Sequence, residues 1–185
     1  HYRLANAGTG LVLAVDAMSK QSGAAAVQWP DGSVTSGCTA DGPRTPGRIG
    51  RGLDFCHTAS YVSLPTGVVS SLTGDYTVSA WVDPAANATW SRLFDIGSGS
   101  NASMFLTLND GNELRFAITT GGGGGEQRIN GTGRLPLNQW SLVTVTVAGT
   151  TGTLYVNGQA VGTNANMTIH PSAFGASTRN YIGKS

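Results

Sequence analysis

The chain has 185 residues, 39% of them hydrophobic, which suffices for one core of ordinary size. Charged residues make up only 11%, and 27 glycines with abundant Ser, Thr and Asn imply a neutral, hydroxyl-rich surface. A net charge of +1 without a Lys/Arg cluster offers no counterion-release term for nucleic acid and no basic patch for an anionic membrane, so neither partner is expected. No run approaches the roughly 18 consecutive apolar residues of a membrane-spanning helix. The chain begins at His1 with no signal-like segment, and its true N-terminus is expected to have been removed.

Cys38 and Cys56 flank a Gly/Pro-rich stretch. Bridged, they would close a loop of about 18 residues and stabilise the fold by about 3 kcal/mol; two buried thiols are the alternative. From Leu53 onward, short apolar runs alternate with turn residues and no helical period occurs, so the chain is expected to be all-β. Strands are predicted at 61–64 and 76–82; in the second, Val78, Ala80 and Val82 share one face while Thr77, Ser79 and Trp81 share the other. Further strands are predicted at 92–96 and at 104–108, the latter turning near Asp110-Gly111 into 114–118. The run Gly121 to Gly125 reads as a flexible loop before a strand at 127–130. In 140–148, Val143, Val145 and Val147 form an apolar face; a hairpin follows, 153–156 turning at Asn157-Gly158 into 159–162, and a last strand is predicted at 180–182. About ten strands at this spacing bury their apolar faces most economically as a closed sandwich.

Several segments resemble a known family in the same order. Pro46-Gly47-Arg48-Ile49-Gly50-Arg51-Gly52-Leu53-Asp54-Phe55, followed by Tyr61-Val62-Ser63-Leu64-Pro65, resembles the start of laminin G-like jelly-roll domains. Tyr76-Thr77-Val78-Ser79-Ala80-Trp81-Val82, Trp90-Ser91-Arg92-Leu93-Phe94-Asp95-Ile96-Gly97, Trp140-Ser141-Leu142-Val143-Thr144-Val145 and Leu154-Tyr155-Val156-Asn157-Gly158 are similar to the same family. The resemblance implies an antiparallel, concanavalin A-like jelly-roll β-sandwich over residues 38–185. It also implies an extracellular setting, as an accessory domain of secreted bacterial glycosidases that act on arabinan, pectin and related plant polysaccharides. The catalytic module of the same polypeptide would then be a partner. Family members usually continue past the equivalent of Tyr181 to Ser185 into one more strand, which this chain is expected to lack. Residues 1–31 carry a second resemblance: Tyr2 to Asn6, Leu13-Ala14-Val15-Asp16 and Val27-Gln28-Trp29 look like part of one ricin-type β-trefoil lectin repeat, in which Asp16 and Trp29 match the sugar-binding positions.

Jelly rolls of this shape also host glucanases, which place paired carboxylates on one strand face. Here the only glutamates are Glu113 and Glu126, with no acidic i, i+2, i+4 triplet and no G-x-S-x-G element, so no catalytic residues are expected. What remains suits binding, since amide and guanidinium groups meet sugar hydroxyls and aromatics meet their C–H faces. Trp90, Arg92, Asn101, Arg115, Gln127, Arg128 and Asn130 are the candidates in the jelly roll, joined by Asp16 and Trp29 at the N-terminus. An internal ion pair is the alternative for Arg92 with Asp95, and Trp81, Trp140 and Tyr155 are expected in the core. Calcium, which the resemblance makes the one cofactor to consider, would draw on Asp75, Asp95, Asn109 and Asp110. A structural spacer or protein-adhesion domain is the alternative to glycan binding.

Overall fold

The computed structural model describes residues 2–5, 14–16, 44–49, 51–55 and 61–184. These form two antiparallel sheets. The first contains β1 (Tyr2–Ala5), β2 (Ala14–Asp16), β3 (Arg44–Pro46), β4 (Arg51–Asp54), β6 (Tyr76–Pro84), β11 (Ser141–Ala148), β12 (Thr151–Val156) and β13 (Gln159–Asn164). The second contains β5 (Val62–Ser63), β7 (Arg92–Gly99), β8 (Ala102–Thr107), β9 (Arg115–Thr119), β10 (Gln127–Asn130) and β14 (Arg179–Ile182). Strand order is β13-β12-β11-β6-β1-β4-β3 in the first, with β2 also on β6, and β10-β9-β8-β7-β14-β5 in the second. No helix among the described residues is long and apolar enough to cross a membrane.

The core lies between the sheets and follows strand parity. Tyr76, Val78 and Val82 of β6 and Val143, Val145 and Val147 of β11 face Ile96 of β7, Met104 and Leu106 of β8, and Phe116 and Ile118 of β9. Phe94 and Phe116 meet at 6.4 Å in a tilted arrangement. The β12–β13 hairpin turns as its sequence predicts: Asn157 and Gly158 both have positive φ, 52° and 80°.

Two expectations are corrected. Trp81, Trp140 and Tyr155 are only half-buried and stand outside the core cluster. Trp81 shares the face of Thr77 and Ser79, where Arg48 covers its ring at 5.3 Å. The β8–β9 connection is also no two-residue turn. The strands end at Thr107 and resume at Arg115, and side chains cap the loop between them: Asn109 Oδ1 accepts the Gly111 amide, and Asp110 Oδ1 accepts those of Asn112 and Glu113.

Strands β1 and β2 follow one another along one edge of β6, with Ala5 opposite Trp81 and Asp16 opposite Thr77, while β11 lines its other edge. Trp29, Cys38 and Cys56, and with them the expected disulfide, lie outside the described residues, as does the Asp16 side chain.

Candidate functional site

The side of the second sheet that faces away from the core carries the site. Its strands place three rows of side chains there. Tyr181, Asp95, Phe105, Ala117 and Arg128 stand opposite one another across β14, β7, β8, β9 and β10. Arg179, Gly97, Ser103 and Thr119 form the row on one side, and Arg92, Thr107, Arg115 and Asn130 the row on the other. Small residues in mid-sheet, Ser103, Ala117 and Gly97, leave depth between longer neighbours.

A β-bulge makes the centre of this arrangement. Arg92 and Asp95 are three residues apart, an odd spacing that would put them on opposite faces of a regular strand. The register of β7 shifts between Arg92 and Phe94, so Leu93 and Phe94 are both buried while Arg92 and Asp95 emerge on the same side. Arg92 Nε then donates to Asp95 Oδ2 at 3.3 Å, and the guanidinium lies 3.8 Å over the Phe105 ring. Phe105 is consequently only 5% exposed although it stands outside the core cluster. The ion-pair alternative for Arg92 therefore holds. Burial pushes Asp95 above the usual carboxylate range, opposed by the Arg92 charge and hydrogen bond and by the Arg179 charge.

Beside this pair lies a pocket of about 450 Å3. Arg92, Asp95, Ser103, Phe105 and Thr119 line it from the sheet, with Tyr181 and Arg179 from β14. Lys184, Glu126, Gly99 at the end of β7, Ser100 and Gly123 complete its walls. The Gly-rich run is not a free loop. Gly123–Gly125 form a 3-10 turn, Thr119 Oγ1 donates to the Gly122 carbonyl at 2.7 Å, and the Gly122 amide donates to the Asn101 carbonyl at 3.1 Å. Asn101 itself is exposed at the tip between β7 and β8. Lys184 Nζ sits 4.1 Å over Tyr61 and 5.1 Å from the Tyr181 ring centre, and the two tyrosines meet edge to face at 5.5 Å.

Trp90 is 46% exposed and has a φ of 64°, a backbone conformation that bulky residues rarely adopt. Its amide donates to the Asn109 carbonyl at 2.6 Å, and the Arg92 and Arg115 guanidiniums lie 5.4 and 5.5 Å from its ring. The result is an exposed indole plane next to Arg92, which itself lines the pocket.

Other candidates are engaged elsewhere. Arg115 pairs with Asp110 at 2.6 Å and Glu126 at 3.8 Å, and its Nε donates to Asn130 Oδ1 at 3.1 Å. Gln127 uses both ends of its amide on the segment after β13: Nε2 donates to Thr168 Oγ1, and Oε1 accepts the Thr168 and Ile169 amides. Arg128 is exposed on β10. The proposed calcium ligands do not gather. Asp75 Oδ1 accepts the Gly149 amide at 2.7 Å near the β11–β12 turn, and Asp110 is committed to two amides and Arg115. Among the described residues no group of three or more His, Cys, Asp or Glu is placed to hold a metal ion.

Burial resists ionisation of Asp110, but its own backbone hydrogen bonds and Arg115 outweigh this and hold it below the usual carboxylate range. A lowered carboxylate stabilises the fold above its unfolded value of about 3.9, and that contribution is lost as pH falls through the lower folded value. Arg115→Met is accordingly expected to cost about 2 kcal/mol at neutral pH, the scale of hydrogen bonds to charged groups. In thermal melts the gap to the parent should close only below the ordinary carboxylate range; a gap independent of pH would show that Asp110 is not its source.

Asp95 and Glu126 both line the pocket, Asp95 from β7 and Glu126 from the junction between the 3-10 turn and β10. Each carboxylate is turned to its own arginine, Asp95 to Arg92 and Glu126 to Arg115.

The geometry defines a class: a two-sheet antiparallel sandwich of concanavalin A-like type with a polar pocket on the outer side of one sheet. The chain belongs to the concanavalin A-like lectin/glucanase superfamily, as its Laminin_G_3 family profile matches residues 57–185. No curated protein matches it. Among solved structures it is similar to domain 4 of AbnA, a GH43 extracellular arabinanase from Geobacillus stearothermophilus, in complex with arabinotriose. The TM-score is 0.62 at 20% identity, over 77% of this chain and 66% of that one. It is also similar to the CBM40 of the Ruminococcus gnavus IT-sialidase bound to α2,3-sialyllactose, with TM-score 0.54 and 10% identity over 68% and 78% of the two chains. Domains LG4-5 of the mouse laminin α1 chain align with TM-score 0.51 at 15% identity, over 66% of this chain and 31% of that one. At these identities the likeness is one of fold.

Proposed function

We propose that the outer side of the second sheet binds a saccharide, and that the chain acts as a non-catalytic accessory module of a secreted enzyme that degrades plant-type polysaccharide. The observation that carries this reading is the pocket of about 450 Å3 with Tyr181 and polar side chains on its floor and the exposed Trp90 plane next to Arg92. Its volume falls in the range of small-ligand sites, about 300–1000 Å3. The Ser103 hydroxyl, the Arg179 guanidinium and the tyrosine ring are groups that meet the two kinds of sugar surface. Two fold neighbours are saccharide-bound domains of glycosidases, which adds support from the same architecture. The commitment of Asp95 and Glu126 to arginines speaks for binding rather than hydrolysis, because glycosidases keep two carboxyls about 5 to 9.5 Å apart and available.

A shallow polar site exchanges water for sugar hydroxyls, so each neutral hydrogen bond contributes about 0.5–1.5 kcal/mol net. With the ordering of a flexible glycan subtracted, affinities of micromolar to millimolar order are expected. Calorimetry against arabinan, galactan, pectin and xylan oligosaccharides tests this, with reducing ends assayed to detect cleavage. Trp90→Ala should weaken binding about tenfold, the effect of losing one stacking plane, while the melting temperature moves by less than ~2 °C because the ring is exposed. Absence of heat with every glycan would transfer the chain to the spacer or adhesion class.

A further inference from the structure

The pocket carries more positive than negative charge, and the surplus is placed to receive an anion. Arg92, Arg179 and Lys184 line it against Asp95 and Glu126. Glu126 already faces a cation outside the lining, Arg115. Asp95 alone serves two guanidiniums: it accepts the Arg92 Nε hydrogen bond and feels only the charge of Arg179. Among the described residues three groups are left without an acceptor. Arg92 Nη1 is buried and has no hydrogen-bond partner, a condition native interiors rarely tolerate. Arg179, whose Nη1 lies at the Gly99 rim of the pocket, forms no ion pair or hydrogen bond among the described residues. Among the described residues the Lys184 ammonium meets the faces of Tyr61 and Tyr181 and no acceptor. Sugar hydroxyls satisfy such groups weakly, whereas a carboxylate supplies two acceptor oxygens in the geometry a guanidinium fork matches.

We infer that this pocket selects a carboxylated sugar, its carboxylate received by Arg179 and Lys184 in the field of the neighbouring Arg92, and its ring laid beside Tyr181. The inference rests on the saccharide-binding reading and narrows it to acidic glycans. Two sources share that chemistry, hexuronates and nonulosonates, and the experiment separates them. Calorimetry would compare trigalacturonate with the same trisaccharide reduced to its primary alcohols, and sialyllactose with lactose. At least one acidic sugar should bind at least about tenfold more tightly than its neutral counterpart. Raising salt from about 50 mM to about 500 mM should erase most of that preference and leave the neutral sugar's affinity unchanged. Arg179→Gln and Lys184→Gln should each reduce the acidic preference severalfold, whereas Arg48→Gln, which removes an equal charge beside Trp81 on the other sheet, should not. Equal affinity for acidic and neutral sugars overturns the inference and leaves saccharide binding standing. An equal loss in Arg48→Gln overturns the placement in this pocket, and silence toward every sugar overturns both readings.

Discussion

Truncating Arg92 to alanine is expected to destabilise the fold by about 3 kcal/mol at neutral pH and by much less near pH 4. The Arg92–Asp95 pair is mostly shielded, with side chains 15% and 19% exposed, and removing one partner leaves the other an uncompensated, desolvated charge. The guanidinium also covers Phe105 at 3.8 Å, so its loss uncovers apolar surface. The pH dependence follows from Asp95. Burial already holds it above the ordinary carboxylate value, and Arg92 is the main force pulling it back down. Without Arg92 it rises further. A carboxyl raised in the folded state binds its proton there more tightly than in the unfolded chain, so the penalty is absent below about pH 3.9, grows as pH rises from there to the folded value, and is complete above it. The double variant Arg92→Ala/Asp95→Asn should regain more than half of the loss at pH 7. Chemical denaturation of the parent, single and double variants at both pH values measures this; an equal loss at pH 4 and pH 7 would show that packing over Phe105 dominates. The result also bears on function, since an arginine that braces its own carboxylate cannot be judged by binding alone.

Gly162→Ala should cost about 3 kcal/mol, at the upper end of overpacking substitutions. Gly162 lies on β13 where that strand crosses the edge of the second sheet, and a Cβ there would fall on the Asn130 carbonyl of β10, with Ile129 Cγ2 at 3.2 Å. Neither neighbour can yield cheaply. Asn130 is backbone in a paired strand, and the same edge is tied by Asn164 Nδ2 donating to the Arg128 carbonyl at 2.8 Å. Gly124→Ala is the matched control: its Cβ would meet nothing within 4 Å, and the change should stay within about 0.5 kcal/mol. Similar midpoints for the two variants in urea would mean that β10 and β13 are not held this closely.

The all-β class, the apolar faces of β6 and β11 and the Asn157-Gly158 turn were legible in the sequence, because each depends on residues within one strand or one turn. Trp81 was legible too, had parity been weighed above size: it alternates with Thr77 and Ser79, and the structure leaves it on their side. Asp110-Gly111 misled because an Asx cap and a hairpin turn share the same residue types; only Gly111 adopts positive φ there. Of the jelly-roll residues expected to bind sugar, Arg92 reaches the pocket, while Arg115, Gln127 and Asn130 hold neighbouring segments together. Ser103, Thr119, Arg179, Tyr181 and Lys184 carried no local signal.

By itself the sequence determined the dry sides of β6 and β11, since burial of a period-two face is decided residue by residue. The tertiary structure alone decided which wet sides meet. Tyr181 and Asp95 are far apart in the chain and become neighbours because β14 pairs with β7, and Arg92 joins Asp95 only through the bulge that shifts that strand's register. Pairing order and register are set by the closure of the whole core, a sum over long-range contacts that no single segment contains, and the pocket exists only once that sum is complete.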